Sequence, residues 1–202
     1  YMVDMLNNGC FEALYDVQCF DLSAVESIRT NPKHMEITAA HYASPTAKSS
    51  AVDHLDVVIL GATEIDTQFN VNVHTDSNGY NMGGSGGHSD TAAGAKMAMI
   101  VAPLSRARLP IVVDHVLCKS TPGNTVDVLV TQRGIAVNPL RQDLKERFTE
   151  AGLPVVEIEK LRDDAEKLNG KAKKPVLGDR EVAKVIYRDG TLLDTIYNVP
   201  VK

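Results

Sequence analysis

Residues 57–73 read VVILGATEIDTQFNVNV, and this stretch decides the fold class. It opens with an uninterrupted run of branched apolar residues, which is typical of a strand buried on both faces of a sheet. The run stops at Gly61. Strands of α/β proteins end in this way where they meet a functional site. The sequence therefore predicts a strand over residues 57–61 that is buried on both faces and leads into a site.

A glycine-rich loop, GGSGGHSD at residues 83–90, follows this strand and holds four of the 14 glycines of the chain. Because glycine has no Cβ, it reaches positive φ without steric penalty and lets another molecule approach the backbone. The N–H groups of such a loop, followed by a predicted helix over residues 91–96, can bind a phosphate, a carboxylate or a developing oxyanion. The alternative is a flexible linker. The spacing fits neither a P-loop nor a dinucleotide-binding turn.

The flanking segments alternate between strand and helix patterns. Strands are predicted over residues 14–20, 67–73, 98–102, 109–113, 126–131 and 155–158, with the strands between residues 98 and 131 as neighbours. Helices are predicted over residues 23–30, capped by Asp21 or Ser23, and over residues 140–151 and 161–168. A two-residue turn at Asp189 and Gly190 joins residues 182–188 and 191–199 into a hairpin. The pattern predicts an α/β fold with a mixed, mainly parallel sheet, flanking helices and a C-terminal β-hairpin.

The composition excludes several classes of protein. A net charge of −5 without a basic stripe argues against nucleic acid as a partner. No apolar run approaches the roughly 20 residues needed to cross a bilayer, and no signal peptide is visible, so we expect a cytoplasmic protein without a membrane partner. The three cysteines form no CxxC pattern, so neither a disulfide framework nor a zinc site is expected.

Several polar side chains lie where a site could form. Glu64 and Asp66 follow the strand end and are either general acid–base residues or turn caps. Asn70 and Asn72 alternate with valines, so their amides share one face, which is either a ligand-binding face or a solvent-facing edge. No metal-ligand spacing relates the histidines near the predicted site, which are His41, His74 and His88. Three arginines could bind carboxylates, namely Arg106, Arg108 and Arg133.

The order of motifs resembles the C-terminal half of CoA-transferases. The stretch at residues 57–73 is followed by GGSGGHSDTAAGAK at residues 83–96, VDVLVTQRGIAVNP at residues 126–139 and GLPVVEIEKL at residues 152–161. Within that superfamily, NPKHMEITAAHYASPTAK at residues 31–48 and NVNVHTDSNG at residues 70–79 are similar to the citrate lyase α subunits. The resemblance covers essentially the whole chain.

This resemblance implies two related α/β domains with the active site between them. Residues 1–202 would form the second, C-terminal CoA-transferase domain. The start at Tyr1 instead of Met fits a segment of a longer polypeptide whose N-terminal domain is absent.

The activity implied by the resemblance is an exchange of acetyl for citryl on a thioester. The carrier is CoA or a phosphopantetheine-type group, and no tightly bound cofactor is expected. The glutamate motif of the branch that forms an enzyme thioester is not seen in this segment, and the equivalent position would fall at or before its start. The resemblance to the citrate lyase branch implies chemistry through a mixed anhydride without a covalent enzyme intermediate. The implied partners are an acyl-carrier subunit and a citryl lyase subunit in an oligomeric assembly.

From the loop and the resemblance together we predict two sets of site residues. The catalytic set is Gly86, Gly87 and Glu64, and the substrate-binding or CoA-binding set is Gly83, Gly84, Ser85, His88, Asn70, Asn72 and His41. Two alternatives stay open. The domain could be a non-catalytic docking surface for the lyase and carrier subunits, for which the lysines at residues 171–174 are candidates. It could also belong to a CoA-transferase specific for citramalate.

Overall fold

The computed structural model describes residues 1–200, and the chain forms two compact units, Tyr1–Asp53 (unit 1) and His54–Lys202 (unit 2). Unit 1 contains α1 (Met2–Asn7), β1 (Leu14–Asp16), α2 (Leu22–Thr30), β2 (His34–Glu36) and α3 (Ala39–Ala43). Strands β1 and β2 pair in parallel. A 3₁₀ turn, Ala51–His54, spans the division between the units.

Helix α2 confirms its predicted start and end signals. The Asp21 side chain accepts a hydrogen bond from the N–H of Ala24 at 2.8 Å, which satisfies one of the free donors of the first turn. The helix ends at Thr30 because Asn31 precedes a proline and takes an extended conformation. The strand predicted over residues 14–20 is shorter and ends at Asp16.

Unit 2 carries a larger set of elements. Its strands are β3 (Val57–Leu60), β4 (Glu64–Asp66), β5 (Val71–Asn72), β6 (Met97–Val101), β7 (Ser105–Arg106), β8 (Leu109–Pro110), β9 (Val112–Val113), β10 (Val128–Thr131), β11 (Gly134–Val137), β12 (Glu181–Ile186) and β13 (Leu192–Tyr197). Its helices are α4 (His88–Gly94), α5 (Gln142–Glu150) and α6 (Ile158–Asn169), with a 3₁₀ turn at Gly123–Thr125.

The main sheet of unit 2 has four strands in the order β11–β10–β6–β3. Strands β3, β6 and β10 run parallel and β11 is antiparallel, which confirms the mixed, mainly parallel sheet. The prediction that β3 is buried on both faces is wrong, because Val57 is 45% and Ile59 is 67% exposed. Strand β3 lies at the edge of the sheet. Its side chains are alternately exposed and half-buried, so one face of the strand is more exposed than the other.

Helix α6 closes the core beneath this sheet. Ile158, Leu161 and Ala165 recur at helical spacing, and all three join a buried cluster that includes Ile100 and Leu129. None of the helices within residues 1–200 combines the length and the apolar character that a membrane span needs.

Three further predicted strands differ from the structure. Residues 109–113 divide at Ile111 into β8, which pairs with β7, and β9, which pairs with β4 in a separate three-stranded sheet. Residues 155–158 form no strand, since Val155 makes one isolated bridge and Ile158 begins α6. Within residues 67–73, strand geometry is confined to β5.

The C-terminal hairpin of β12 and β13 is confirmed, but its turn is longer than predicted. The N–H of Tyr187 donates to Thr191 O at 2.8 Å, so three residues form the loop. Gly190 has a φ of +87°, whereas Asp189 keeps a negative φ. This combination is typical of a type I turn followed by a glycine bulge.

Candidate functional site

The carboxyl ends of the parallel strands β3 and β6 meet at one edge of the sheet. Ligands of open α/β sheets bind outside this edge, because the connecting loops diverge there and leave a crevice. Residues 61–63 follow β3, and residues 102–104 follow β6 and lead into β7. The candidate site is therefore at this edge.

The glycine loop is held in a conformation that few other residues could adopt. Gly83, Gly86 and Gly87 have φ angles of +127°, +60° and +85°. A Cβ added at Gly83, Gly84 or Gly86 would meet no atom within 4 Å, so open space lies beside the backbone. Within residues 1–200, no hydrogen bond is made by the N–H groups of residues 84–87. The loop therefore presents unpaired donors to an open surface.

His88 fixes the base of this loop. Helix α4 begins at His88, three residues earlier than predicted, and the left-handed Gly87 is its N-cap. The buried imidazole has Nε2 2.9 Å from Gly61 O and Nδ1 2.7 Å from Thr121 Oγ1. A carbonyl oxygen can only accept, so Nε2 carries the proton and the Thr121 hydroxyl donates to Nδ1. Both ring nitrogens thus have protein partners, which favours an anchoring role for His88.

Burial lowers the pKa of two histidines at the base of the loop. Desolvation lowers the pKa of His88, the hydrogen bond to Gly61 opposes this shift, and the proximity of His74 adds to it. Desolvation also lowers the pKa of His74, whose Nδ1 lies 2.6 Å from Ser120 Oγ. Ser120 and Thr121 therefore each hold one imidazole.

Glu64 is a buried carboxylate with specific donors. Its Oε2 accepts hydrogen bonds from Asn72 Nδ2 at 3.0 Å and from the N–H of Leu117 at 2.8 Å. The Asn72 amide also donates to Thr75 Oγ1, and its Oδ1 accepts from the N–H groups of His74 and Thr75. The Asn72 side chain is thus saturated by protein partners and holds Glu64 in place.

Asp66 and Asn70 form a second buried pair, and it has the geometry of a turn cap. The Asp66 carboxylate accepts from the N–H of Gln68 and from both nitrogens of Asn70. Asn70 Oδ1 accepts from the N–H of Gly123 at 3.0 Å. Asn70 therefore ties the β4–β5 turn to the 3₁₀ turn, and both asparagines are buried, so the alternative of a solvent-facing edge is wrong.

His41 belongs to a different part of the chain. It lies on α3 in unit 1 and is exposed. Its backbone N–H donates a hydrogen bond to the capping Thr38 Oγ1 at 3.1 Å. The other predicted site residues all lie in unit 2.

Two cavities adjoin the residues at the sheet edge. One, of about 180 Å³, is lined by Glu64, Ser77, Asp114 and residues 171–175. The other, of about 200 Å³, is lined by Thr63, Asp76, Ser77, Met82, Arg106 and Ile111, among others. Ser77 borders both cavities, Glu64 lines the first, and Met82, which precedes the glycine loop, lines the second.

Four residues of the segment 117–123 support the site and were not predicted from the sequence. Leu117, Ser120, Thr121 and Gly123 contact Glu64, His74, His88 and Asn70, respectively. Their sequence signal was a Pro-Gly turn, which predicts a change of chain direction and not its contacts. Among residues 1–200, no group of three potential ligands is arranged to hold a metal ion.

Comparisons with known proteins agree with one another. A family model described as citrate lyase, alpha subunit (CitF), matches residues 1–199. The citrate lyase alpha chains of Escherichia coli and Klebsiella pneumoniae are each 52% identical over 198 residues, which is 98% of this chain and 39% of theirs. The chain thus spans about two fifths of the length of these relatives.

A solved structure is also similar. The alpha subunit of citrate lyase from Streptococcus mutans, solved in complex with citrate, has a TM-score of 0.94 and 46% identity, covering 99% of this chain and 39% of that one. The backbone described above is therefore shared with a protein that binds citrate.

Proposed function

This chain belongs to the citrate lyase alpha subunit family, and from that premise we propose that it contributes an acyl-transfer site. The proposed reaction exchanges acetyl for citryl on CoA or on a phosphopantetheine-type carrier. Acetyl-carrier and citrate give citryl-carrier and acetate. The chain would act as the second CoA-transferase domain of its subunit, in a cytoplasmic oligomeric assembly with an acyl-carrier subunit and a citryl lyase subunit.

The observation that carries this proposal is the run of unpaired N–H groups at residues 84–87, together with the open space beside the backbone that a Cβ at Gly84 or Gly86 would enter. A loop that served only as a connection would not need several glycines at positive φ. Backbone donors that are fixed before the reaction can stabilise negative charge where it develops, and they cost no reorganisation at that moment. The anchoring of His88 to Gly61 supplies this rigidity.

In the proposed mechanism a citrate carboxylate attacks the carbonyl carbon of the acetyl thioester. The carrier thiolate leaves, and a citryl–acetyl mixed anhydride remains. The thiolate then attacks the citryl carbonyl, and acetate leaves. Each attack passes through a tetrahedral oxyanion, to which the loop N–H groups donate, with Gly86 and Gly87 at its centre. The enzyme forms no covalent bond, so its contribution is proximity and charge stabilisation.

The remaining predicted residues take supporting roles in this proposal. Gly83, Gly84 and Ser85 form the part of the loop that contacts the thioester arm. Glu64, which borders the 180 Å³ cavity, orients citrate or the thioester. Asn72 and Asn70 position the carboxylates of Glu64 and Asp66 through the contacts described above.

The test of the loop is Gly86→Val in the assembled enzyme that carries this chain. A side chain at this position fills the open space and is strained at a φ of +60°. Displacing one oxyanion donor should lower kcat roughly 10²-fold to 10³-fold. Gly152→Val is the matched control, because Gly152 also has open surroundings and a φ of +70° but follows α5, away from the loop. A folded Gly86→Val variant whose acetyl-to-citryl exchange equals that of the control contradicts the proposal.

The role of Glu64 is tested by Glu64→Gln. A glutamine oxygen can accept the two hydrogen bonds from Asn72 and Leu117, so the variant should keep its melting temperature. Loss of the carboxylate should slow exchange about 100-fold if Glu64 acts on the reacting groups. Unchanged exchange kinetics would leave Glu64 with a structural role alone.

A further inference from the structure

The cavity that Met82 lines next to the glycine loop is also lined by an arginine whose charge has no partner within the described residues. Arg106 is exposed and lines the cavity of about 200 Å³, and among residues 1–200 its guanidinium makes no ion pair and no hydrogen bond. The other two arginines considered from the sequence, Arg108 and Arg133, line neither of the two cavities at this edge. Of these three arginines, Arg106 is the one that lines a cavity at this edge.

A second unused donor faces the same space. Ser77 lines this cavity, and within the described part of the chain its hydroxyl has no hydrogen-bond partner. Asp76 contributes a carboxylate, but Asp76 accepts three hydrogen bonds from its own turn, two from the N–H groups of Asn78 and Tyr80 and one from Asn78 Nδ2. The hydrogen bonds of Asp76 are therefore directed into the turn, and the donors offered to a ligand are those of Arg106 and Ser77.

The backbone at Arg106 is held by an unusual hairpin. Strands β7 and β8 are joined by Ala107 and Arg108, whose φ angles are +50° and +63°. Both central residues of such a turn need positive φ, and glycine or asparagine normally supplies it. Strained non-glycine residues persist where the surrounding structure fixes them, and they cluster at binding sites. The turn of this hairpin directly follows Arg106, which lines the cavity.

The cavity also lies close to the loop that carries the proposed chemistry. Met82, which directly precedes Gly83, lines it, and so does Thr63, which lies two residues after the Gly61 carbonyl that His88 contacts. At about 200 Å³, the cavity far exceeds the ~10–15 Å³ that one water molecule requires. It therefore has room for a small organic acid beside the glycine loop.

We propose that Arg106 and Ser77 bind a carboxylate group of citrate in this cavity. The inference rests on the proposed function of the glycine loop and deepens it, because it names the residues that select the acceptor acid. The planar guanidinium donates two parallel hydrogen bonds to one carboxylate, and the Ser77 hydroxyl donates a further one. Another carboxylate of the same molecule would then be free to attack the thioester at the loop.

The test compares Arg106→Gln with Arg108→Gln in the assembled enzyme. Both variants remove one positive charge from the same hairpin, but Arg108 is outside the cavity lining. We expect Arg106→Gln to weaken citrate binding, measured by titration calorimetry, about 10-fold to 100-fold. The KM for acetyl-CoA should stay within about twofold of the wild-type value. Arg108→Gln should change neither quantity by more than about twofold, and Ser77→Ala should weaken citrate binding by less than Arg106→Gln.

Equal citrate affinity in Arg106→Gln and Arg108→Gln would overturn the inference. A parallel loss of citrate and acetyl-CoA affinity in Arg106→Gln would overturn it as well, since it would show general damage to the site. The binding measurement also separates the two proposals. Citrate binding that depends on Arg106 in an enzyme without acetyl-to-citryl exchange would support the cavity and refute the acyl-transfer function.

Discussion

The Nε2 atom of His88 lies 2.9 Å from the carbonyl oxygen of Gly61, and this hydrogen bond joins the first residue of helix α4 to the end of strand β3. The opposite ring nitrogen is held by Thr121. One imidazole thus connects three segments that are distant in the sequence, and it does so directly beneath the glycine loop. The position of the loop depends on this residue.

Replacing His88 by Phe should destabilise the protein by about 1–3 kcal/mol, because the Gly61 carbonyl and the Thr121 hydroxyl would lose their partner in a buried place. Urea unfolding followed by circular dichroism measures this change. The control is His54→Asn, an exposed position that should shift the free energy of unfolding by no more than about 0.5 kcal/mol. Equal stability of the two variants would show that the imidazole does not anchor the loop.

Stability should fall as the pH falls below the ordinary histidine pKa of 6.5. Burial lowers the pKa of His88 and of His74 in the folded state, so the unfolded chain binds more protons in this range. Free energy of unfolding therefore rises with pH until the unfolded histidines have lost their protons, and it decreases on acidification through the lowered pKa values. The free energy of unfolding at pH 7.5 should exceed that at pH 5.5, and the variant His88→Gln should show a smaller difference.

Gly123 should tolerate no side chain. A Cβ at this position would clash with the Gln68 carbonyl oxygen and would lie 2.9 Å from the Asn70 nitrogen, and both are backbone atoms that cannot move aside. We expect Gly123→Ala to destabilise the protein by at least about 1–3 kcal/mol through overpacking. Gly61→Ala is the control, since its Cβ would meet no atom within 4 Å. Similar melting temperatures for the two variants would contradict the close approach.

The three thiols should differ in reactivity. Burial, together with the nearby carboxylates of Asp194 and Glu64, raises the pKa of Cys118 to about 12. Because the thiolate is the reactive form, Cys118 should resist iodoacetamide at pH 8, whereas the exposed Cys10 should be alkylated first. Mass spectrometry of the native protein after timed labelling gives the order. Early labelling of Cys118 would show that this part of unit 2 opens readily.

Local signals in the sequence were sufficient for several elements. The Asp21 cap and the proline after Asn31 set the limits of α2 within one residue of the prediction. Sheet order was harder to predict. Residues 109–113 form one apolar run, yet the chain divides it between two sheets, because β8 pairs with the neighbouring β7 whereas β9 pairs with β4, a distant segment. Periodicity indicates whether a segment forms a strand or a helix, but it does not indicate which strand the segment pairs with.

The sequence by itself determined the family, the alternation of strands and helices, and the glycine loop, because each of these depends on residue type and local spacing. Only the tertiary structure decided that His88 anchors the loop, that Asn72 and Leu117 hold Glu64, and that Arg106 lines the cavity beside the loop. These relationships join positions up to 53 residues apart in the chain. They arise because buried polar groups form hydrogen bonds with the groups that the fold places near them. No local sequence pattern specifies which groups those are.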